Sequence, residues 1–345
     1  MRFFSYRNKL RLKRLAVILG AVAAVALAFC AIRFIYLQRY LVFTDTGAVF
    51  DYDQSLTSQG DTHTSLNLED FPIEYAGLEQ SQAVSSQEQP LEVLSGYYIT
   101  TSMLQDPAVV TAALEAAETA PKAVMVEMKS IYGNFYYASS LAGANTASVD
   151  ISAVEALIDR LAQDKTYLIA RIPAFSDNNF ALANQSCGLP LSSGALWMDR
   201  NGCYWLDPQD AAVQDYLVAI AAELADLGFD EVVFDQYQIP DSENIVYEGD
   251  RAEAAAASAQ TVKDMLEGYA IRVSFGSTAA GVAAVSDRLY ISNDNGAAVE
   301  GIVANVSESL TDPAAQIVFC TASRDTRFEG YGLLRPLIEQ SSEEQ

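Results

Sequence analysis

The strongest constraint on the fold is an alternation that begins at Gly96, where short apolar runs rich in β-forming residues alternate with longer stretches of helical pattern. This alternation is typical of βα units built around a parallel sheet. The runs are almost continuously apolar, as expected of strands buried on both faces. The predicted strands are residues 96–101, 123–128, 167–172, 231–235, 271–275, 289–292 and 317–320. The predicted helices are residues 107–118, 151–163, 208–227, 252–266 and 297–309.

An α/β fold with seven such units in about 250 residues matches a TIM-type (β/α) barrel in size and pattern. The alternative is an open, doubly wound sheet. No glycine-rich phosphate loop follows any predicted strand, which removes the commonest reason for an open dinucleotide-binding fold. No eighth strand is apparent, because the segment GYGLLRPLIEQ at 330–340 has a helix-like pattern. The barrel is therefore expected to be incomplete, or closed by a segment that the pattern does not reveal.

The N-terminus predicts a membrane anchor. Residues 15–32 form an uncharged apolar run of 18 residues, long enough to cross a bilayer as a helix. Basic residues precede this run without any acidic residue, which favours a cytoplasmic stub at 1–14, a single span at 15–37 and an extracellular remainder. A cleaved signal peptide fits less well, because the chain stays apolar and aromatic as far as Val42. A lipoprotein site at Cys30 is disfavoured by the bulky Phe29 before it.

The charge is divided sharply along the chain. Residues 1–40 hold eight of the 21 Lys and Arg residues and none of the 45 Asp and Glu residues. The remainder has 13 basic against 45 acidic residues, a net charge of −32. A domain this acidic is not expected to bind nucleic acid or an anionic membrane surface.

The domain plan follows from composition. Residues 38–94 are rich in Ser, Thr, Gln, Asp and Glu and predict a polar linker, which contains the lone His63. The barrel domain is predicted at 95–339 and a polar tail at 340–345. Cys187 and Cys203 lie in one irregular stretch, and the sequence leaves open whether they form a disulfide or stay free.

Candidate site residues follow from the barrel, because side chains at the C-terminal ends of the strands face the active site. A long loop after the third strand adds both tryptophans of the chain. Aromatic rings cover the flat faces of sugars, and carboxylates and Arg bind the hydroxyl groups around them. The predicted substrate-binding residues are Lys129, Arg171, Asp177, Trp197, Asp199, Trp205 and Tyr237.

Glycoside hydrolysis requires two carboxyl groups, one on each side of the bond that breaks. Asp235 ends the fourth strand and is the predicted nucleophile, while Glu127 and Asp294 are the candidate acids. Asp230 starts the same strand at the opposite end and is expected to anchor structure. An ion pair of Glu127 with Lys129, and packing of the two tryptophans on the barrel, are the structural alternatives. No metal or organic cofactor is predicted.

Several segments occur in the order found in a known family. They are GYYITT at 96–101, AVMVEMKSIYGNFYY at 123–137, YLIARIPAFSDNNFA at 167–181, and the stretch from Trp205 to Pro240 that contains GFDEVVFDQYQIP. Over roughly residues 95–325 the chain resembles the putative glycosyl hydrolase domain family. The resemblance implies a TIM-type barrel and a carbohydrate substrate. It places Asp235 at the nucleophile-like position and Lys129, Arg171 and Asp177 in the cleft.

The departures from the family pattern lie near the same residues. The family usually has Asp where Glu127 stands, and an Arg within the segment after Asp235 where this chain has residues 236–240, QYQIP. Two hypotheses remain. One is a membrane-anchored, extracellular glycoside hydrolase that acts on a polysaccharide or cell-wall glycan. The other is a catalytically degenerate barrel that binds carbohydrate or serves as an envelope scaffold.

Overall fold

The computed structural model describes residues 41–44, 47–50, 91–116, 121–141, 145 and 148–338. The predicted stub at 1–14, the predicted anchor at 15–37 and the polar tail at 340–345 lie outside these residues. Among the helices that are described, none is long and apolar enough to cross a bilayer. The described residues belong to two compact units, which divide between residues 84 and 85. In the first unit, β1 (Leu41–Thr44) and β2 (Gly47–Phe50) pair antiparallel within the stretch predicted as a linker.

The second unit is a closed barrel of eight parallel strands, which confirms the TIM-type prediction. The strands follow one another around the barrel in chain order, and the last pairs with the first. They are β3 (Ser95–Ile99), β4 (Ala123–Glu127), β5 (Tyr167–Pro173), β6 (Glu231–Asp235), β7 (Arg272–Phe275), β8 (Leu289–Ser292), β9 (Ile317–Cys320) and β10 (Gly332–Pro336).

Helices connect the strands. They are α1 (Thr101–Leu104), α2 (Pro107–Ala116), α3 (Ile151–Gln163), α4 (Asn178–Ala183), α5 (Ala211–Asp226), α6 (Arg251–Met265), α7 (Ala280–Ala283), α8 (Val299–Val306) and α9 (Pro313–Gln316). Several start at an Asp whose side chain accepts the free amide N–H groups of the first turn, as Asp150 does for α3 and Asp250 for α6. Part of the acidic composition therefore serves helix capping.

Two predicted elements need correction. The segment predicted as a helix after residue 330 supplies β10, which hydrogen-bonds to both β9 and β3 and closes the barrel. Helix α5 begins at Ala211 rather than at Pro208, because Asp210 accepts hydrogen bonds from the Ala212 and Val213 N–H groups and is the N-cap. The anchoring role predicted for Asp230 is confirmed, since its carboxylate accepts the Leu168 N–H at 2.8 Å.

The barrel interior follows the two-residue period of the strands. The middle layer is apolar and includes Met125, Ile169, Val233, Tyr290 and Val318. Two residues further along the strands, polar side chains occupy the C-terminal mouth. Two residues back, a second polar group occupies the N-terminal end. The apolar layer separates these two polar layers.

Candidate active site

An arginine bridges two carboxylates at the mouth of the barrel. Arg171 on β5 donates from Nε and Nη2 to Asp235 Oδ2, at 2.9 and 2.5 Å, and from Nη1 to Glu127 Oε1 at 3.3 Å. Nη2 also lies 3.3 Å from Ser292 Oγ. Because β5 lies between β4 and β6, the bridging cation stands between its two partners. Burial lowers the pKa of Arg171, but Asp235 and Glu127 more than offset this effect, so the net shift of the pKa is upward.

Glu127 is held from its other side by the start of α1. Its Oε2 accepts the Thr101 N–H at 2.6 Å and the Thr101 hydroxyl at 2.8 Å. The Thr101 hydroxyl also lies 3.2 Å from the Tyr136 hydroxyl. Thr101 and Arg171 together therefore engage both oxygens of the Glu127 carboxylate.

The position of Asp235 depends on two neighbours, Gly276 and Gln236. The carboxyl group and Cα of Asp235 lie so close to Gly276 that a Cβ on residue 276 would collide with them. The next residue, Gln236, has a φ of 54°, which is uncommon for a residue other than glycine. Such backbone conformations cost free energy and are concentrated at functional sites. At Gln236 the chain leaves the strand sharply and brings Gln236 to the cavity.

A cavity of about 520 Å³ opens over these residues. Glu127, Lys129, Arg171 and Asp235 line it, as the predicted site requires. The remaining wall comes from the ends of β3 and β5 and from the loops after β4 and β6, through Thr101, Ser130, Ile131, Tyr132, Asn134, Tyr136, Ser148, Pro173 and Gln236. Tyr132 is 43 % exposed and adds an aromatic side chain to the lining.

Lys129 contributes less charge to the cavity than its position indicates. Its ammonium is buried and forms a 2.7 Å ion pair with Asp177, whose side chain is also fully buried. Asp177 accepts further hydrogen bonds from the Tyr216 hydroxyl and from the Phe180 N–H at the start of α4. The structure therefore places Asp177 behind the cavity wall, where it balances Lys129 and caps a helix.

Asp294 lies in the loop after β8 and is not part of the cavity lining. Its Oδ1 accepts the Thr321 hydroxyl at 2.7 Å and the Ala322 N–H at 2.8 Å. These donors lower the pKa of Asp294, with Thr321 contributing most. The residue thus ties the β8 loop to the β9 loop as an ionised carboxylate.

The remaining predicted residues lie away from the cavity lining. Trp205 Nε1 donates to Asp199 at 3.1 Å, and the rings of Trp197 and Trp205 pack edge to face. These contacts give the long loop its internal structure. Tyr237 is completely buried against Phe175 and Phe275, and its hydroxyl hydrogen-bonds to Ser258. Tyr237 is buried because the turn at Gln236 directs its side chain into the layer between the strands and the helices.

The sequence prediction missed Thr101 and Tyr98. Tyr98 stands on the inward face of β3, and burial raises its pKa, followed by the negative charge of Asp294. The two-residue alternation within GYYIT was the signal that could have placed Tyr98 inside the barrel. Cys187 and Cys203 are both buried and free, which resolves the alternative left open by the sequence.

Fold and mouth together define a glycoside-hydrolase-like TIM barrel with two carboxylates in the cavity at its mouth. The chain belongs to the putative glycosyl hydrolase domain family, whose model matches residues 96–292. No curated protein matches its sequence.

Solved structures similar to the chain include two alpha-galactosidases. The enzyme from Lactobacillus brevis is 10 % identical with a TM-score of 0.50, over 73 % of this chain and 38 % of that one. AgaA from Geobacillus stearothermophilus, in complex with 1-deoxygalactonojirimycin, is 12 % identical with a TM-score of 0.50, over 73 % and 41 %. The chain thus spans about two fifths of these enzymes, and the similarity shows the fold.

Proposed function

We propose that the barrel acts on a polysaccharide or cell-wall glycan outside the cell as a glycoside hydrolase, anchored through its N-terminal apolar segment. One observation carries the proposal. Asp235 and Glu127 face one cavity at the C-terminal ends of the strands, where barrel enzymes place their active sites. The wide cavity, with an aromatic side chain in its lining, suits a sugar chain.

In hydrolysis, Asp235 is the carboxylate that meets the anomeric carbon. Arg171 donates only to Oδ2 and so fixes the position of Asp235, while Oδ1 accepts no hydrogen bond from the described residues. The shared contacts with Arg171 limit the separation of the nearest Asp235 and Glu127 oxygens to about 8 Å or less, which is compatible with the carboxylate separations of glycoside hydrolases.

Glu127 fits the role of acid better than Asp294, because it faces the cavity together with Asp235. A protonated Glu127 would give its proton to the leaving sugar oxygen as Asp235 bonds to the anomeric carbon. Water would then displace Asp235, giving its hydroxyl to the anomeric carbon and its other proton to Glu127. For the first step Glu127 must bind a proton and lose its contact with Arg171, which keeps its two hydrogen bonds to Asp235.

The second candidate function is glycan binding without cleavage. The donors around Glu127 favour this candidate, since Thr101 and Arg171 already engage both oxygens of the carboxylate. Asp294 is engaged by Thr321 and Ala322 outside the cavity lining. A barrel whose second carboxylate cannot act as an acid would hold a sugar without breaking its glycosidic bond.

The test is glycan cleavage by the full chain in detergent, with product release measured by chromatography across a panel of cell-wall and exopolysaccharide substrates. Asp235→Asn preserves the shape of the site and should reduce cleavage by at least about a thousandfold while retaining binding. Asp159→Asn, on the exposed face of α3, is the matched control and should cleave normally. Binding without cleavage in all three proteins would establish the second candidate.

The location has its own test. The uncharged run at 15–32 behind a basic stub supports an anchor, with the acidic barrel outside. External protease added to intact cells should remove the barrel and leave the stub. Protection of the barrel in intact cells, with digestion after lysis, would contradict this topology.

A further inference from the structure

The charges around the cavity do not cancel. Four of the lining residues are charged, two as carboxylates and two as cations. Lys129 is neutralised from behind by Asp177, at 2.7 Å and with both side chains fully buried. The charges that remain are those of Glu127, Arg171 and Asp235, so the cavity has one negative charge in excess.

Neither cation is available to bind an anionic ligand. Arg171 uses Nε, Nη1 and Nη2 on Asp235, Glu127 and Ser292. Lys129 would have to break a fully buried ion pair, and leaving a buried carboxylate uncompensated is strongly unfavourable. A sugar carrying a carboxylate, phosphate or sulfate would therefore meet an unbalanced negative site.

The hydrogen-bonding position that Asp235 leaves open is an acceptor. Asp235 Oδ1 accepts no hydrogen bond from the described residues, while Oδ2 takes both bonds from Arg171. A carboxylate has about four acceptor positions in total, so Asp235 retains capacity for a donor. A protonated primary amine offers three donors and one positive charge, which matches both the acceptors and the charge excess.

We infer that the preferred ligand is a glycan whose sugars carry free amino groups, such as a de-N-acetylated hexosamine chain, with the ammonium group bound at Asp235 Oδ1, beside the bridge that Arg171 makes to Glu127. This inference rests on the proposed function and specifies its substrate class. An N-acetylated chain lacks the charge, and a uronic acid chain has the opposite one.

The test compares three hexasaccharides, of glucosamine, N-acetylglucosamine and galacturonic acid, as ligands of the full chain in detergent. Affinities are measured by calorimetry at pH 6 and 150 mM salt. We expect the glucosamine chain to bind about tenfold more tightly than the N-acetylated chain, the effect of one hydrogen bond between charged groups. Galacturonate should bind most weakly.

Variants separate the cavity from the general acidity of the protein. Asp235→Asn and Glu127→Gln should each reduce the preference for glucosamine to about threefold or less, and Asp159→Asn should leave it unchanged. Thermal unfolding of each variant verifies its fold, and the two variants test the same claim independently.

Each outcome decides a different claim. Equal or tighter binding of the N-acetylated or uronic chain would overturn the amine preference while leaving the glycan proposal intact. A preference that persists in both cavity variants would assign it to the acidic surface and would also overturn the inference. Absence of binding to every saccharide would contradict the proposed function itself.

Discussion

At the N-terminal end of the strands, Arg288 Nη1 lies 2.6 Å from Glu231 Oε2; at the mouth, Arg171 Nη2 lies 2.5 Å from Asp235 Oδ2. The two pairs are similar in residue type and distance. They differ in exposure, since the Glu231 and Arg288 side chains are 0 % and 5 % exposed while those of Asp235 and Arg171 are 17 % and 21 % exposed. Ion pairing alone therefore does not distinguish a functional residue from a structural one.

The surroundings explain the difference. Glu231 accepts further hydrogen bonds from the Tyr167 hydroxyl at 2.8 Å and the Ser274 hydroxyl at 2.5 Å, so both of its oxygens are occupied. Asp235 lines a cavity, and one of its oxygens accepts no hydrogen bond from the described residues. The N-terminal pair is enclosed by protein, and the pair at the mouth is arranged to meet a ligand.

The largest effect is expected when the enclosed pair is broken. Arg288→Met leaves Glu231 buried without a cation and should reduce the free energy of unfolding by about 3–5 kcal/mol. Arg171→Met leaves two carboxylates that water can reach, so it should cost less than half as much. Urea unfolding and calorimetry measure the two effects. Equal losses of stability would erase the distinction between the two ends.

A smaller effect is expected at Gly276, which supports Asp235. In Gly276→Ala the added Cβ collides with the Asp235 carboxyl, and such overpacking should cost about 1–3 kcal/mol and weaken glycan binding. Gly301→Ala is the matched control, because nothing lies within 4 Å of an added Cβ in helix α8. The control should be neutral or stabilising, and destabilisation by both changes would remove the special role of Gly276.

The next largest effect is expected at Glu223, which supports the loop after β4 that forms part of the cavity wall. Glu223 on α5 accepts hydrogen bonds from Tyr137, Ser139 and Ser140, at 2.5 to 3.1 Å. Burial alone would raise the pKa of Glu223, but these donors outweigh burial and lower it. Glu223→Gln should cost about 1 kcal/mol at neutral pH.

The pH dependence gives that change a distinctive signature. A lowered folded pKa means that the contribution of Glu223 is complete above the unfolded pKa of about 4.3 and is lost as the pH falls through the folded value. The stability difference between the wild type and Glu223→Gln should therefore be constant from pH 6 to 8 and shrink below about pH 4. A difference that grows on acidification would contradict the assignment.

The smallest effect is expected from removing the hydroxyl group of an interior tyrosine, and two tyrosines can be compared. Tyr98 faces the charges of the mouth, and Tyr98→Phe should weaken glycan binding by about threefold to tenfold with little change in stability. Tyr290 is fully buried, and its hydroxyl has no partner among the described residues. Tyr290→Phe should therefore leave binding unchanged and be neutral or stabilising. Weaker binding in Tyr290→Phe than in Tyr98→Phe would reverse the comparison.

Much of the fold could be predicted because apolar runs and helix signals are local. Seven strands were identified from their β-rich composition, but β10 was missed. Its sequence, GLLRP, contains Gly and Pro and no β-branched residue, and only its pairing with β3 and β9 makes it a strand. Pairing between distant segments is not visible in a local pattern.

The site was predictable to the same extent. The sequence predicts that Glu127, Arg171 and Asp235 lie close together, because they end neighbouring strands of a barrel. The structure places all three around one cavity. The Asp177 side chain is buried because it pairs with Lys129. The Tyr237 side chain is buried because the backbone turns at Gln236. A strand pattern encodes neither feature. Thr101 reaches Glu127 only through the turn after β3.

The most direct test of the central claim, that the mouth around Asp235 is the functional end, is hydrogen exchange of the full chain with and without a bound glucosamine oligosaccharide. We expect slower exchange at 127–136, 171–173 and 235–236, and no change around 231 and 288. Protection confined to other parts of the chain, with these mouth segments unchanged, would contradict it.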